Sequence, residues 1–309
     1  MPKAIRAMHF ADQLAQQVQH KQSAVCVGLD PRWHSLPDSI RASIDATNIS
    51  AVAAATQCYC QEVIDAVASH APIIKPQAAF FEQLGPYGMQ SLAAVIRHAR
   101  KSGLLVLLDG KRGDIGSTAE GYADAYLGES SAWQCDALTV NPYLGDDTLV
   151  PFVDAAESRG AGIFVLVKTS NLGSGFLQDQ EVATGQTVYE RVAQVVEQQT
   201  QRSVGNSGYG IVGAVVGATY PQQLSSLRAL MPHAWILIPG FGAQGGTAED
   251  VAHGFDSRGL GAIVNSSRGI IFAYNTPQYQ QLDWQQAVAQ ATVDMAQQLR
   301  EATTGSQCD

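Results

Sequence analysis

The sequence contains few charged residues. They make up 15% of the 309 residues, whereas an average soluble domain carries roughly 25%. Acidic residues outnumber basic ones by 28 to 19, which gives a formal net charge of −9. This balance argues against nucleic acid or an anionic membrane surface as the main partner. At first it also argues against an anionic substrate.

Long apolar runs and cysteine motifs are also missing. No stretch approaches the roughly 18–20 apolar residues of a membrane span, so we expect no membrane segment. Residues 1–17 lack the apolar core of a signal peptide and predict an amphipathic helix instead. The five cysteines form no metal-binding pattern. Their odd number in a chain without a targeting segment predicts reduced thiols and a cytoplasmic location.

Short apolar runs are plentiful, and the hydrophobic fraction of 46% is ample for a large core. These runs are rich in β-branched residues and nearly continuous in hydrophobicity, which is typical of strands buried on both faces of a parallel sheet. The eight predicted strands are residues 24–29, 72–74, 104–108, 137–140, 162–167, 212–216, 235–238 and 261–264.

Helical patterns separate these strands. They cover residues 48–70, with Asn48 as the cap, and residues 89–101, 188–199, 221–230 and 283–301. Repeated alternation of strand and helix predicts an α/β fold of the (β/α)₈ TIM-barrel type. We expect one domain over residues 1–309, with an N-terminal helix and insertions at 31–47 after strand 1 and at 171–187 after strand 5.

The scarce lysines lie at unusual places. Of only six, Lys75, Lys111 and Lys168 follow predicted strands 2, 3 and 5, while Asp30 and Asp109 follow strands 1 and 3. Lysine is normally exposed because removing water from an ammonium group is costly. The carboxyl ends of barrel strands share one face, where active sites lie. The positions therefore predict an active site, although buried ion pairs at the rim would give the same pattern.

The densest group of charges is Asp109, Lys111 and Asp114, at spacing i, i+2 and i+5. In extended geometry Asp109 and Lys111 point to the same side, so the carboxylate would hold the ammonium charged and in place. Asp114, beyond a glycine, could reach a neighbouring chain. A lysine within the cluster repels a cation, so we expect no metal here and favour a proton-donating lysine.

A second feature follows predicted strands 7 and 8. Residues 239–247 are rich in glycine, and residues 265–269 contain Arg268. Glycines let backbone N–H groups approach an anion, and barrels often bind phosphate at these two loops. Arg268 would add a charge-assisted hydrogen bond. The alternative is a flexible turn beside a surface arginine.

Together these motifs resemble the orotidine 5′-phosphate decarboxylase family, specifically its longer bacterial-type subfamily. The resemblance covers about residues 20–280, and its motifs occur in order, one at each strand end. The matching stretches are residues 27–31, 74–82, 109–118, 141–145, 168–171, 239–246 and 265–269.

The resemblance implies an activity, a partner and a set of catalytic residues. The family converts orotidine 5′-monophosphate to UMP and CO₂ in de novo pyrimidine biosynthesis, without a metal or an organic cofactor. By position, Lys111 resembles the donor of a proton to C6 of the pyrimidine. Asp109 resembles the carboxylate that presses on the departing carboxylate and fixes Lys111. Lys75 and Asp30 resemble the partners in the ribose and charge network.

The resemblance also implies substrate contacts and a homodimer with shared active sites. Asp114 and Thr118 match the pair that enters the neighbouring subunit's site. Ser170 matches a contact to the pyrimidine amide edge, and Gln244 lies in a loop that folds over phosphate and base. The full set assigned to substrate binding is Asp30, Thr118, Ser170, Gln244, Gly245, Ser267 and Arg268.

Three other functions are conceivable. Related barrels with the same Asp-x-Lys-x-x-Asp motif act on sugar phosphates with Mg²⁺, but they need a carboxylate after strand 2, where this chain has Lys75. A non-catalytic nucleotide-binding barrel would lack Lys111 or one of its aspartates. A Schiff-base aldolase needs a neutral lysine. The resemblance assigns no role to Lys168, which could pair with Asp30 or another carboxylate, or to Asn141, which could reach the ligand or satisfy loop backbone.

Overall fold

The computed structural model describes residues 8–219, 221–242 and 245–305. Its eight strands form one closed parallel barrel in sequence order, because β8 pairs with β1. This confirms the predicted TIM-barrel fold. The strands are β1 (Val25–Leu29), β2 (Ile73–Pro76), β3 (Leu105–Arg112), β4 (Ala137–Val140), β5 (Gly162–Lys168), β6 (Val212–Val216), β7 (Ile236–Pro239) and β8 (Ala262–Ser266).

Helices surround the barrel and cover the outer face of the sheet, which explains why the strands are apolar along their length. None of those described is both long and apolar enough to cross a membrane. In chain order they are α1 (Phe10–Lys21), α2 (Asp38–Arg41), α3 (Ile49–Val67), α4 (Ala78–Glu82), α5 (Gly85–Lys101), α6 (Gly116–Leu127), α7 (Val150–Arg159), α8 (Gly175–Gln178), α9 (Val188–Gln201), α10 (Pro221–Leu230), α11 (Ala248–Ala252), α12 (Arg268–Ile271) and α13 (Trp284–Gly305).

Helix boundaries follow local capping chemistry. The side chain of Asn48 accepts a hydrogen bond from the Ala51 N–H, which confirms it as the cap of α3. Within the described residues the N-terminal helix runs from Phe10 to Lys21, beyond the predicted end at residue 17. The first seven residues of the predicted helix lie outside the described part of the chain.

The expected insertions after β1 and β5 contain short helices. The first holds α2 and a 3₁₀ turn at Trp33–Ser35, and Tyr274 donates a hydrogen bond to the Ser35 carbonyl at 2.6 Å. The second holds α8 and a 3₁₀ turn at Leu172–Ser174. It ends where a capping box at Thr187 starts α9. Both insertions therefore lie on the carboxyl side of the barrel.

The four described cysteines are all free thiols. On α3, Cys58 is exposed and Cys60 is buried, so the two point to different faces of the helix as expected. Burial raises the pKa of the Cys26 thiol to about 12. The buried thiols act as small apolar side chains in the core. Cys308 lies outside the described residues.

Candidate active site

A cavity of about 340 Å³ opens at the carboxyl ends of the strands. Its size suits a small molecule. One wall is apolar and is formed by Leu166, Val215, Leu237 and Pro239. The polar lining consists of Lys75, Asp109, Lys111, Thr139, Thr169, Ser170 and Asn171. The strand-end lysines of β2 and β3 thus reach one cavity, whereas Lys168 does not line it.

Asp109 lies at the centre of this polar wall and accepts four hydrogen bonds. Its Oδ2 atom accepts from Lys75 Nζ at 2.7 Å and from Gln77 Nε2 at 2.9 Å. Its Oδ1 atom accepts from Lys111 Nζ at 2.5 Å and from Thr139 Oγ1 at 3.0 Å. A carboxylate has about four acceptor positions, so Asp109 is saturated and its orientation is fixed.

Asp109 and Lys75 stay charged although both side chains are buried. Burial alone would raise the pKa of Asp109, but Lys75 and Lys111 lower that pKa well below its usual range. Burial alone would lower the pKa of Lys75, but Asp109 and then Asp30 raise it above its usual value. Lys75 is only 4% exposed, so its charge depends on these carboxylates.

Lys111 reaches Asp109 through a bulge, and the expectation of extended geometry is wrong. The backbone of Lys111 has φ of +47°, in the left-handed region that L-residues disfavour. The pairing of β3 with β4 shifts between Leu108 and Arg112. The bulge turns the lysine back toward the carboxylate two residues earlier, so the predicted pair forms by a different conformation.

The sequence analysis did not predict two residues that contact Asp109, Gln77 and Thr139. Gln77 follows Lys75 by two residues, and this spacing in an extended segment could have indicated a shared side. Thr139 is the third residue of the predicted strand 4 and is 1% exposed. A threonine within an apolar run gives little signal, because threonine favours strands in any case.

Unpartnered acceptors mark the rim near β1 and β8. Asp30 Oδ1 and Asn265 Oδ1 are buried and have no hydrogen-bond partner among the described residues. Such atoms need a ligand or water as donor. Gly28 lets the residues after β8 pack closely against β1, since a Cβ there would lie 2.9 Å from Asn265 Oδ1 and 2.9 Å from Ser267 Cβ.

Three glycines of the loop after β7 adopt left-handed backbone conformations. Gly240, Gly242 and Gly245 have φ of +100°, +66° and +90°. The Gly242 N–H donates to the Gly246 carbonyl at 2.9 Å. Gly245 is exposed, and the candidate residue Gln244 lies outside the described residues.

After β8, two candidate residues begin α12. Ser267 Oγ donates to the Gly28 carbonyl at 3.0 Å, which ties the β8 loop to β1. Arg268 is exposed at the first position of the helix. Among the described residues its guanidinium has no carboxylate within ion-pair distance. It is thus available to an anion from solution.

Asp114 and Thr118 lie away from the cavity of their own chain. Asp114 is half-buried, and its Oδ1 accepts from the Ile115 N–H at 2.8 Å. Thr118 is exposed in the first turn of α6. Ser170, in contrast, does line the cavity, next to the apolar wall.

The sequence left the roles of Lys168 and Asn141 open, and each has a partner within the protein. Lys168 is fully buried, and its Nζ lies 2.5 Å from Asp179 Oδ1 in the second insertion. Asn141 Oδ1 accepts from the Tyr143 N–H at 3.0 Å and thereby satisfies loop backbone. Within the described residues, no three His, Cys, Asp or Glu side chains are grouped as a metal site would require.

These features define a class of (β/α)₈ barrel. It has a lysine–aspartate–lysine array at the carboxyl ends of β2 and β3, a glycine-rich loop after β7 and an arginine after β8. The orotidine 5′-phosphate decarboxylase / HUMPS family model matches residues 23–303. The chain belongs to this family.

Comparison with individual proteins agrees with the family match. An orotidine 5′-phosphate decarboxylase from Rhodopirellula baltica is 54% identical over 301 residues, or 95% of this chain and 99% of the relative. One from Deinococcus radiodurans is 44% identical over 85% of this chain and 89% of the relative. A solved structure from Streptomyces avermitilis, provisionally described as this enzyme, has a TM-score of 0.82 and 33% identity over 98% of this chain and 99% of its own.

Proposed function

We propose that this protein is an orotidine 5′-phosphate decarboxylase that converts orotidine 5′-monophosphate to UMP and CO₂ in pyrimidine biosynthesis, without a metal or organic cofactor. It would belong to the longer bacterial-type subfamily. The observation that carries the proposal is the placement of two ammonium groups, Lys75 and Lys111, on the single buried carboxylate of Asp109 at the wall of a cavity.

The chemistry needs a positive charge and a proton at one place. When the bond from C6 to the carboxylate breaks, the electron pair stays on C6, and the ring offers no adjacent electron sink. The Lys111 ammonium stabilises this developing charge electrostatically in a preorganised site. It then transfers a proton to C6, which forms the C6–H bond of UMP and leaves a neutral amine that solvent reprotonates.

Asp109 would serve this reaction in two ways. Its carboxylate is ionised and fixed by four donors, so it holds the Lys111 ammonium toward the cavity. Its negative charge would also face the substrate carboxylate, and that repulsion is relieved when CO₂ leaves. Lys75 balances the charge of Asp109 from the opposite side and carries the network toward Asp30.

The remaining candidates would bind groups remote from C6. Arg268 and the glycine-rich loop with Gln244 and Gly245 would hold the phosphate, with Ser267 fixing the β8 loop. Ser170 would contact the pyrimidine, and the unpartnered oxygen of Asp30 would accept from a ribose hydroxyl. If phosphate binding closes the site, its binding energy can help to stabilise the transition state at C6.

The magnesium-dependent alternative conflicts with Lys75 at the carboxyl end of β2. Lys75 Nζ lies 2.7 Å from Asp109 Oδ2, so an ammonium stands beside the carboxylate that a cation would need. The aldolase alternative conflicts with the ion pair of Lys111 and Asp109, because an imine-forming lysine must first lose its proton.

The proposed activity can be tested with purified protein, orotidine 5′-monophosphate and EDTA. We expect UMP and CO₂ to form in equal amounts, at a rate that added Mg²⁺ does not change. Sugar phosphates with Mg²⁺ should give no product. Absence of UMP, or UMP formation only after Mg²⁺ is added, would contradict the proposal.

We further propose a homodimer in which Asp114 and Thr118 complete the partner's active site. Large apolar side chains are exposed beside Asp114: Ile115 is 62% exposed and Tyr143 is 72% exposed. The loops that carry them are joined, because the Asn141 N–H donates to the Arg112 carbonyl at 2.8 Å. Burying this surface against a second copy would remove apolar area from water.

Subunit sharing predicts complementation between two inactive variants. Lys111→Ala and Asp114→Ala chains, mixed under conditions that exchange subunits, should regain part of the wild-type activity. Each hybrid dimer would contain one site with both Lys111 and Asp114 intact. Activity should be measured after exchange is verified with differently tagged chains. If exchange occurs and no activity returns, Asp114 does not act across the interface.

Two further assignments complete the proposal. We propose that residues 1–309 form a single domain, which is supported by the continuous barrel from β1 to β8. We also propose a cytoplasmic location, which is supported by the free thiols of the described cysteines, since reducing compartments keep thiols unpaired.

A further inference from the structure

The bulge in β3 removes a backbone hydrogen-bond partner from Lys111. Leu108 pairs with Leu138 and Arg112 pairs with Val140, so Asp109, Gly110 and Lys111 lie opposite Thr139 alone. A buried backbone N–H without a partner is costly. In this structure the Lys111 N–H donates to Thr139 Oγ1 at 2.9 Å, so a side chain replaces the missing ladder bond.

The same hydroxyl also binds the central carboxylate. The Lys111 N–H can only donate, and ionised Asp109 can only accept, so the direction of both bonds is fixed. Thr139 Oγ1 therefore accepts from Lys111 and donates its single proton to Asp109 Oδ1 at 3.0 Å. Asp109 Oδ1 in turn accepts from Lys111 Nζ at 2.5 Å. The three residues form a closed ring of hydrogen bonds.

We propose that Thr139 is a positioning residue for the decarboxylation, because its hydroxyl couples the left-handed backbone of Lys111 to the carboxylate that orients the Lys111 ammonium. This inference rests on the proposed function. It assigns Thr139 no contact with the reacting atoms, and its effect passes through the position of Lys111.

Two physical conditions give the hydroxyl its importance. Backbone in a disfavoured region persists only where the surroundings hold it, and Lys111 has φ of +47°. Thr139 is 1% exposed, so water has little access to replace its hydroxyl. Another restraint on this turn lies outside the ring, where Arg112 Nη1 donates to the Gly110 carbonyl at 2.9 Å. Removing the hydroxyl would take away the acceptor of the Lys111 N–H and one of the four donors to Asp109.

The test compares Thr139→Val, which keeps the shape and removes both hydrogen bonds, with Thr139→Ser, which keeps the hydroxyl. For orotidine 5′-monophosphate we expect Thr139→Val to lower kcat by about 10²-fold, since a misplacement of about 1 Å can cost this much. KM should change by less than about threefold, because the binding groups are untouched. Thr139→Ser should restore kcat to within about fivefold of wild type.

A second measurement follows the Lys111 amide directly. In protein carrying ¹⁵N-labelled lysine, the exchange rate of this amide hydrogen should rise at least about tenfold in Thr139→Val and remain near wild type in Thr139→Ser. Thr292→Val provides the matched control, because Thr292 is also fully buried but donates to the Val288 carbonyl in α13. The control should change neither kcat nor the exchange of Lys111.

The outcomes separate this inference from the proposed function. If wild-type protein does not decarboxylate orotidine 5′-monophosphate, the proposed function fails and the inference fails with it. If wild type is active and Thr139→Val keeps its kcat, only the inference is overturned. A Thr139→Ser variant as slow as Thr139→Val would also overturn it, because the hydroxyl would then not be the group that matters.

Discussion

Replacement of Lys111 by methionine is expected to lower kcat for orotidine 5′-monophosphate by at least about 10⁴-fold. Methionine keeps an unbranched side chain of similar length but supplies neither a charge nor a proton. General acid catalysis contributes about 10²–10⁴-fold in typical enzymes. Loss of one electrostatic donor costs about 10²–10³-fold, and Lys111 would supply both effects. The loss is measured as kcat by following the orotate absorbance, with UMP quantified separately.

The control for this variant is Lys101→Met, which removes an exposed lysine at the end of α5. It should keep wild-type kcat and KM. UMP should still bind to Lys111→Met, because the phosphate and pyrimidine contacts are separate from C6. A folded Lys111→Met protein with kcat within about tenfold of wild type would exclude Lys111 as the proton donor.

The Asp109→Asn variant should show the largest loss of stability among the site variants. Asp109 is 6% exposed and is paired with Lys75, which is 4% exposed. Removing one partner of a buried ion pair leaves the other charge uncompensated, which costs about 3–5 kcal/mol. Lys111 adds less to this loss because its side chain is 45% exposed. The free energy of unfolding is measured with urea at pH 7.

The pH dependence of this loss has a definite sign. Folding holds the pKa of Asp109 below its usual value, through Lys75 and Lys111 and against the opposing effect of burial. The unfolded carboxyl titrates near its ordinary value of about 4. The stabilisation by Asp109 is therefore complete above about pH 4 and is lost as the pH falls toward the folded pKa. The difference between wild type and Asp109→Asn should shrink between pH 7 and about pH 3.

Asp154→Asn serves as the matched control, because Asp154 is exposed in α7. It should change the free energy of unfolding by less than about 0.5 kcal/mol at either pH. A stability of Asp109→Asn equal to that of wild type at pH 7 would mean that the network does not stabilise the fold. A difference that grows on acidification would contradict the direction of the Asp109 pKa shift.

The barrel could be predicted because its strands are apolar on both faces and its helices are not. The strand ends were harder to place. The predicted strands 2 and 3 stop before Lys75 and Asp109, whereas β2 and β3 continue through them to Pro76 and Arg112. The apolar run in the sequence stops at the first charged residue. The strands can continue past that residue because Lys75 and Asp109 neutralise each other. Helices α6 and α7 were not predicted, and their weakly separated apolar and polar faces explain this.

The sequence predicts those parts of the site whose positions follow from the ends of the strands. Lys75, Asp109 and Lys111 meet as expected because parallel strands end on one face. The bulge at Lys111 and its bond to Thr139 depend on the pairing of β3 with β4, which spacing along one strand does not reveal. Lys168 pairs with Asp179, which lies in the insertion after β5. This contact forms only when the insertion folds back onto the barrel, so residue spacing in the sequence does not predict it.

Net charge proved a poor guide to the ligand. The chain carries −9, yet Lys75 and Lys111 lie at one cavity and Arg268 is exposed at the same end of the barrel. Their local field acts over a few ångströms, while distant surface carboxylates are screened by salt within about 10 Å. The lysines at strand ends were therefore more informative than the total charge.

The central claim is a metal-free decarboxylation in which Lys111 protonates C6. It is tested most directly by incubating EDTA-treated protein with orotidine 5′-monophosphate in D₂O and analysing the UMP by NMR. The account predicts one deuterium at C6 for each CO₂ released, and no such product from Lys111→Met. No UMP from the wild-type protein, or UMP that appears only after Mg²⁺ is restored, would contradict it.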